Sequence, residues 1–307
     1  MTKKLRADMI LLLLTAFWGI SFPLMRNVLE FMPAVPYLAI RFVLAALVVS
    51  LVFFKKHKLI KKTEVGGGLI IGFLLFAGMI LQVYGLYYTT ASNSAFITSM
   101  CVAFVPILLA IFFRKKTSKF TVWGIIIASV GLFLISGIVR MQFNPGDFLT
   151  LLCAIAFALQ IIYIDKFTKK GEPGSIAIVQ LWTAAILTSL IWLIFDRSPI
   201  IINFQSVLVI LVTAVFGTAF AFSAQILVQK DTTPSHAALI FTMEPLFALF
   251  FSMIIPDTDG NLERLTLVSA IGCFLILAGT VISEYRTLVK KGRARKAARA
   301  ARIKNKA

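Results

Sequence analysis

Charged residues are scarce in this 307-residue sequence, and those present are clustered. Only 14% of the residues are charged and 59% are hydrophobic, whereas a soluble domain carries about 25% charged residues. So few charges cannot cover the water-facing surface of a chain this long. The composition therefore excludes a soluble globular protein and indicates that lipid is the solvent.

The motifs of common nucleotide-binding and catalytic sites are also missing. The sequence contains no GxxxxGKS/T phosphate loop, no GxGxxG fingerprint, no GxSxG elbow and no HExxH pair. We therefore expect no ATP-driven pumping by this chain alone. The two histidines lie far apart, and the three cysteines fall in apolar runs without a CxxC pair. We expect no metal, no cofactor, no disulfide framework and no enzymatic activity.

Apolar runs of about 20 residues make up most of the chain, and this length matches a hydrocarbon core about 30 Å thick crossed by an α-helix. The predicted fold class is all-α, a polytopic membrane protein with ten transmembrane helices. The predicted spans are 9–25, 35–54, 67–88, 94–113, 121–139, 147–164, 176–195, 206–228, 235–254 and 266–283.

Positive charge is distributed unevenly between the two sides of these spans. The formal net charge is +18, which in a soluble protein would suggest a nucleic-acid partner. Here 26 of the 31 Lys and Arg residues fall on the N-terminus, the even-numbered connections and the C-terminal tail. The positive-inside rule then places both termini in the cytoplasm of a plasma (inner) membrane protein. We expect no nucleic acid as partner, and we expect anionic lipid at the basic tail.

The second half of the sequence repeats the first. Gln82 is followed after seven residues by TTAS at 89–92, and Gln225 is followed after seven residues by TTPS at 232–235. Each repeat holds five spans, and an odd count makes the second copy enter the membrane from the opposite side. Two inverted five-helix repeats are therefore predicted, with substrate near the midplane between them. The predicted divisions are a first repeat at 1–143, a second at 144–286 and a basic cytoplasmic tail at 287–307.

Prolines occur at matched positions in the fourth and ninth predicted spans. After a four-residue gap in the repeat alignment, Pro106 aligns with Pro245. A proline removes a backbone hydrogen bond and interrupts a helix, and paired interruptions point to a binding site. The alternative is that proline is simply common in membrane helices.

Glu244 is the only one of the thirteen acidic residues that lies deep within a predicted span. Because an ionised carboxylate facing lipid is costly, we expect Glu244 to face a cavity or a partner. It either binds a proton or a cationic substrate group, or it pairs with Arg41 or caps backbone freed by Pro245. Arg41 lies roughly 9 Å of helix rise from the outer edge. Arg41 either snorkels to that edge or binds a substrate anion.

Other polar and aromatic side chains in the spans are candidate cavity residues. For each of them the alternative is a hydrogen bond between helices or plain packing. These candidates are Trp18, Gln82, Tyr84, Tyr88, Asn93, Gln160, Tyr163 and Gln225.

Several short segments carry a family resemblance: WGISF at 18–22, RF at 41–42, YTTASNSAF at 88–96, GT at 217–218 and EP at 244–245. On these segments the chain resembles the drug/metabolite transporter superfamily, in its ten-helix branch with two EamA-type domains. The resemblance covers the chain to about residue 285. It implies a carrier that exports or exchanges amino acids, related metabolites or drugs without ATP. Relatives often end the fourth helix with an acid, whereas this chain has RKK there, so that acid's role is not transferred.

The repeats and the resemblance together predict a secondary active transporter of small metabolites, with Glu244 as a candidate proton site. Two alternatives stay open at this point. One is a flippase of a lipid-linked intermediate, and the other is an integral membrane enzyme acting on lipid. The substrate, the direction of transport, the coupling ion and the oligomeric state are not readable from the sequence.

Overall fold

The computed structural model describes residues 2–88, 91–114, 117–135, 145–195, 200–256, 260–262 and 264–283. In this part of the chain all regular structure is helical, and the helices form ten spans, which confirms the predicted all-α fold class. The helices are α1 Lys3–Val28, α2 Ala34–Val52, α3 Lys62–Leu86, α4 Ala91–Ser99, α5 Cys101–Phe113, α6 Lys119–Ile135, α7 Pro145–Thr168, α8 Pro173–Phe195, α9 Phe204–Val212, α10 Ala221–Gln229, α11 Pro234–Phe241, α12 Glu244–Ser252 and α13 Leu267–Ser283.

Eight spans are long and apolar enough to cross a membrane, and α6 and α13 are shorter apolar helices. The fourth span consists of α4 and α5, and the ninth consists of α11 and α12. The eighth span consists of α9, a π-helical stretch at Thr213–Phe220, which we call the π segment, and α10. The chain is therefore a multi-pass membrane protein. The basic tail at 287–307 lies outside the described residues.

Contacts between corresponding spans show that the two repeats run head to tail. The second span, α2, lies against its counterpart α8: Trp182 Nε1 donates to Ser50 Oγ at 2.8 Å. Ser175 Oγ, at the other end of α8, donates at 2.9 Å to the carbonyl of Lys56, in the short 3₁₀ helix Phe54–Leu59 that follows α2. The helices α2 and α8 are therefore antiparallel. The fourth and ninth spans are antiparallel as well, because α11, the first half of the ninth span, contacts α5, the second half of the fourth, while α12 contacts α4.

The fifth and tenth spans, α6 and α13, meet through glycines. Gly124 lies against Gly279, and Gly131 lies against Gly272, so these two helices are also antiparallel. We call these four residues the glycine seam. In each of these three pairs the two corresponding spans are antiparallel, as a two-fold axis in the membrane plane requires. The predicted inverted architecture is confirmed.

A side chain in the glycine seam is expected to destabilise the protein. A Cβ at Gly131 would lie 2.5 Å from the Gly272 carbonyl oxygen and 2.9 Å from Ile276, so Gly131→Leu forces the helices apart at a cost of about 1–3 kcal/mol. Thermal unfolding of the purified protein should show a lower midpoint for this variant. Val130→Leu, at the exposed neighbouring position, should melt like the wild type. Equal midpoints for both variants would contradict this close packing.

The fourth and ninth spans are interrupted at equivalent positions. The first break is at Met100, between α4 and α5, and the second is at Thr242 and Met243, between α11 and α12. At both breaks the hydrogen bonds tighten to three residues: the Met100 N–H donates to the Ile97 carbonyl, and the Met243 N–H donates to the Ile240 carbonyl. Met100 and Met243 are 143 residues apart, the same offset that separates Gln82 from Gln225.

The four-residue gap in the sequence alignment is therefore not needed in the structure. Pro245 follows the second break directly, whereas Pro106 lies inside α5, six residues beyond the first break. The two prolines are thus not structural equivalents of each other. Pro245 leaves the Phe241 carbonyl at the second break without its helical hydrogen bond, whereas Pro106 affects the Val102 carbonyl inside α5.

Charged groups tie the two repeats together at one end of the molecule. Glu64, at the start of α3, accepts the Glu172 N–H at 3.1 Å through Oε1, and Lys56 Nζ lies 3.0 Å from Glu172 Oε1. Burial raises the pKa of Glu172, but the Ser175 N–H and the Lys56 ammonium outweigh it and hold this pKa below its usual range. These contacts must break if the repeats separate at this end.

Candidate functional site

A cavity lies between the two repeats and contains most of the polar groups that were singled out in the spans. It has about 720 Å³ of empty space, its opening included. The first, second, third, fourth, sixth, eighth and ninth spans all contribute to its wall. Its lining residues are Trp18, Ser21, Phe22, Met25, Arg41, Met79, Gln82, Thr98, Ser99, Cys101, Phe157, Gln160, Ile161, Phe222, Gln225, Phe241 and Glu244.

The lining residues are related by the repeat. Several occur as pairs separated by the repeat offset of 143 residues, so that both members line the same space. These pairs are Trp18 and Ile161, Met79 and Phe222, Gln82 and Gln225, Thr98 and Phe241, and Cys101 and Glu244. The cavity therefore lies on the pseudo-two-fold axis, where inverted repeats place their binding sites.

Charge breaks this symmetry. Glu244 has Cys101 as its counterpart, and Arg41 has Ala184, which does not line the cavity. Among the described lining residues, Arg41 is the only cation and Glu244 the only anion. One charge of each sign, one from each repeat, thus faces a space whose walls are otherwise neutral.

Glu244 is the first residue of α12, directly after the break in the ninth span. Within the described part of the chain it has no hydrogen-bond or ion-pair partner. The structure does not show the suggested pairing with Arg41, whose donors bind other groups. It likewise shows no bond from Glu244 to backbone near Pro245. Glu244 is half-buried, and an unpaired carboxylate within a membrane span is stabilised by a proton or a cation.

Arg41 is buried and does not snorkel to the membrane edge, since only 3% of its surface is exposed. Its Nε donates to Thr218 Oγ1 at 2.6 Å, Nη1 donates to the Tyr37 hydroxyl at 3.3 Å, and Nη2 donates to the Gly217 carbonyl at 3.4 Å. All three acceptors are neutral. The guanidinium is therefore held by three hydrogen bonds, of which the one at Nε is the shortest, while its charge stays uncompensated by any described carboxylate.

Trp18 supports the same region from the first span. Its Nε1 donates to the Gly217 carbonyl at 3.1 Å, and its ring packs on Phe222 and Phe241 with centroid distances of 5.2 and 5.1 Å. The indole is thus bonded on one edge and flanked by aromatic rings. It forms a rigid apolar wall beside the charged groups.

Three glutamines complete the polar lining. Gln82 Nε2 donates to Thr98 Oγ1 at 3.2 Å, and Gln225 Nε2 donates to Gln229 Oε1 at 3.0 Å. The Gln160 Nε2 and Gln225 Oε1 atoms are buried and have no partner among the described groups. Both residues line the cavity, so one unpaired donor and one unpaired acceptor lie buried in its wall.

Three other candidate residues, Tyr84, Tyr88 and Tyr163, are not among the described lining residues of this cavity. Tyr88 is 61% exposed and Tyr84 is 38% exposed near the end of the third span. Tyr163 stacks on Phe167 and lies 5.3 Å from Lys166 Nζ. The side chain of Asn93 lies outside the described residues.

Sequence reasoning missed several lining residues because they are apolar or weakly polar. Met79, Thr98, Cys101, Phe222 and Phe241 carry no signal when read singly. The repeat offset is such a signal: the position 143 residues after Met79 is Phe222, and the position 143 residues before Glu244 is Cys101. Carrying the register of Gln82 and Gln225 through both halves would have found these pairs.

An inverted pair of five-helix units around a central, charged cavity is the architecture of a membrane transporter. A crystal structure of another protein matches the chain with a TM-score of 0.76 at 15% identity, covering 93% of this chain and 99% of the other. At that identity the match shows the fold alone. The EamA-like transporter family model matches twice, at residues 5–137 and 144–285, and the chain belongs to this family.

Individual relatives agree with the family. The chain is 34% identical over 284 residues to an uncharacterized transporter of Archaeoglobus fulgidus, covering 92% of this chain and 87% of the relative. It is 21% identical to the uncharacterized transporter YoaV of Bacillus subtilis, covering 88% of this chain and 94% of the relative. Both relatives are named as transporters, and neither name specifies a substrate.

Proposed function

We propose that this protein is a secondary carrier of small zwitterions, with amino acids and closely related metabolites as its substrate class. The observation that supports this most is the pair of opposite charges in the cavity, Arg41 and Glu244, which are not bonded to each other. A substrate carboxylate suits Arg41, because a guanidinium matches a carboxylate through several donors. A substrate ammonium group suits Glu244.

Transport proceeds by alternating access in this proposal. The two repeats rock against each other around the cavity, so that it opens to one side of the membrane at a time. The breaks at Met100 and Met243 allow the two halves of the fourth and ninth spans to move separately. The contacts among Lys56, Glu64 and Glu172 release at one end in one half of the cycle.

Glu244 also couples transport to protons in this proposal. When the cavity holds no substrate, a proton neutralises the enclosed carboxylate, and a bound ammonium group replaces that proton. A single site that holds either a proton or a cation exchanges one for the other across the membrane. The carrier thus exports or exchanges its substrate with protons moving in the opposite direction.

The proposal includes the orientation of the chain in the membrane, without which the two sides of the carrier cannot be assigned. We propose a plasma (inner) membrane location with both termini in the cytoplasm, because the lysine and arginine residues concentrate on that side. In this orientation the end that carries Lys56 and Glu172 faces the cytoplasm. The basic tail lies at the surface of anionic lipid, to which each charge contributes about 1 kcal/mol.

Counterflow in liposomes tests the proposed function. Purified protein is reconstituted in vesicles preloaded with one unlabelled amino acid, and uptake of the same labelled compound is measured for each of the common amino acids. We expect at least one of them to enter faster than in protein-free vesicles, and an excess of that compound to raise the thermal unfolding midpoint of the purified protein. Absence of exchange across the whole panel would contradict the proposal.

A further inference from the structure

The π segment at Thr213–Phe220 distinguishes the eighth span from its counterpart. Its hydrogen bonds span five residues, and the Ala221 N–H donates to the Phe216 carbonyl. The equivalent residues of the third span, 70–77, lie within the uninterrupted helix α3. Arg41 is likewise present in one repeat only. The irregular helix and the unpaired arginine meet at one place in the fold.

Two side-chain pairs join α2 to the π segment. The Tyr37 hydroxyl donates to Thr213 Oγ1 at 3.0 Å, and Arg41 Nε donates to Thr218 Oγ1 at 2.6 Å. Tyr37 and Arg41 are four residues apart in an α-helix and therefore share a face. Thr213 and Thr218 are five residues apart, and residues at that spacing share a face where the hydrogen bonds also span five residues. Accordingly, Thr218 Oγ1 donates to the Thr213 carbonyl at 3.0 Å.

An uninterrupted α-helix would present a different residue to Arg41. Four residues beyond Thr213 stands Gly217, which has no hydroxyl to accept from a guanidinium. A larger residue there would displace these neighbours, because a Cβ at Gly217 would lie 2.7 Å from Ser21 Oγ and 3.2 Å from Arg41 Nη2. The five-residue turn therefore brings Thr218 opposite Arg41 and leaves Gly217 to contribute only its carbonyl.

We propose that Thr218 is a positioning residue for recognition of the substrate carboxylate, and that the π segment serves to bring its hydroxyl to Arg41. This inference rests on the proposed function. A bond at Nε fixes the rotation of the guanidinium plane. The outer nitrogens are held only loosely, at 3.3 and 3.4 Å. Of the five guanidinium N–H groups, three make these bonds, and two remain to bind a carboxylate at the cavity wall.

A matched pair of variants and a matched pair of substrates test this role. Thr218→Val keeps the shape of the side chain but removes the hydroxyl, whereas Thr218→Ser keeps the hydroxyl. Counterflow is measured for the amino acid that exchanges fastest in the wild type and for the amine that lacks its carboxylate. Thr188→Val is the control, since the Thr188 hydroxyl is buried and bonds only carbonyls of its own helix, those of Ala184 and Ala185.

Thr218→Val is expected to raise the KM for the amino acid by about tenfold and to leave the KM for the amine within twofold of the wild type. Thr218→Ser and Thr188→Val are expected to resemble the wild type with both compounds. An equal loss for amine and amino acid, or no loss for either, would overturn the positioning role while leaving the carrier function intact. Lack of wild-type exchange for every amino acid would instead count against the proposed function.

Discussion

Vesicles that contain Glu244→Gln are expected to lose transport driven by a pH gradient. Glutamine has nearly the shape of glutamate but cannot take up or release a proton, and Glu244 is the only carboxylate among the described cavity residues. Exchange of the amino acid should also weaken, because the charge-assisted bond to its ammonium group is lost. Such a bond contributes about 1.5–3 kcal/mol, which corresponds to a rise in KM of about 10- to 150-fold.

The matched control is Glu30→Gln, an exposed carboxylate in the turn after α1. It should transport at the wild-type rate with and without a pH gradient. The same measurement should be repeated at several external pH values, where wild-type transport changes with pH and Glu244→Gln transport does not. Gradient-driven transport at the normal rate in Glu244→Gln would remove the coupling role of this residue.

Arg41→Lys is expected to impair transport of the amino acid nearly as strongly as the loss of Glu244. Lysine keeps the positive charge, but one ammonium group cannot bond Thr218, Tyr37 and Gly217 and still present two donors to a carboxylate. We expect the KM for the amino acid to rise by about 10- to 150-fold. The KM for the corresponding amine should stay close to that of the wild type, because the amine has no carboxylate.

Arg26→Lys is the control for this substitution, since Arg26 is an exposed arginine in the last turn of α1. Thermal unfolding should accompany the kinetics, so that a folding defect is separated from a binding defect. If Arg41→Lys transported the amino acid normally, Arg41 would be a structural residue that binds the π segment and not the substrate.

Much of the fold could be predicted because the spans are encoded by composition and length. Apolar runs of about 20 residues, separated by clusters of lysine and arginine, define ten helices without any tertiary information. The inverted order follows from the odd number of spans in each repeat. Interruption of the fourth and ninth spans was also predicted. Its location at Met100 was not, because Pro106 marks the neighbourhood of the break and not its residue.

The residues of the candidate site that stand out most clearly in the sequence are the charged ones within apolar spans. An acid in the middle of an apolar span is conspicuous, so Glu244 could be singled out from the sequence alone. The partners of Arg41 could not, because nothing in the sequence around Gly217 and Thr218 distinguishes a π-helix from an α-helix. The partial exposure of Tyr84 could not be predicted either, since helices that are apolar on all sides do not reveal which face is buried.

The proposed function requires that the cavity between the inverted repeats is the transport pathway. Cys101 is a natural probe of this claim, because it lines the cavity opposite Glu244. A variant with Cys153 and Cys273 replaced by serine leaves Cys101 as the only thiol. Its reaction with a small thiol reagent that does not cross membranes can be followed from each side of a vesicle, with and without the transported amino acid.

We predict that Cys101 reacts from both sides and that saturating substrate slows the reaction severalfold. A control variant that retains only Cys273, on α13 and outside the cavity lining, should react at a rate that substrate does not change. Labelling of Cys101 from one side only, or labelling that substrate leaves unaffected, would contradict an alternating pathway through this cavity.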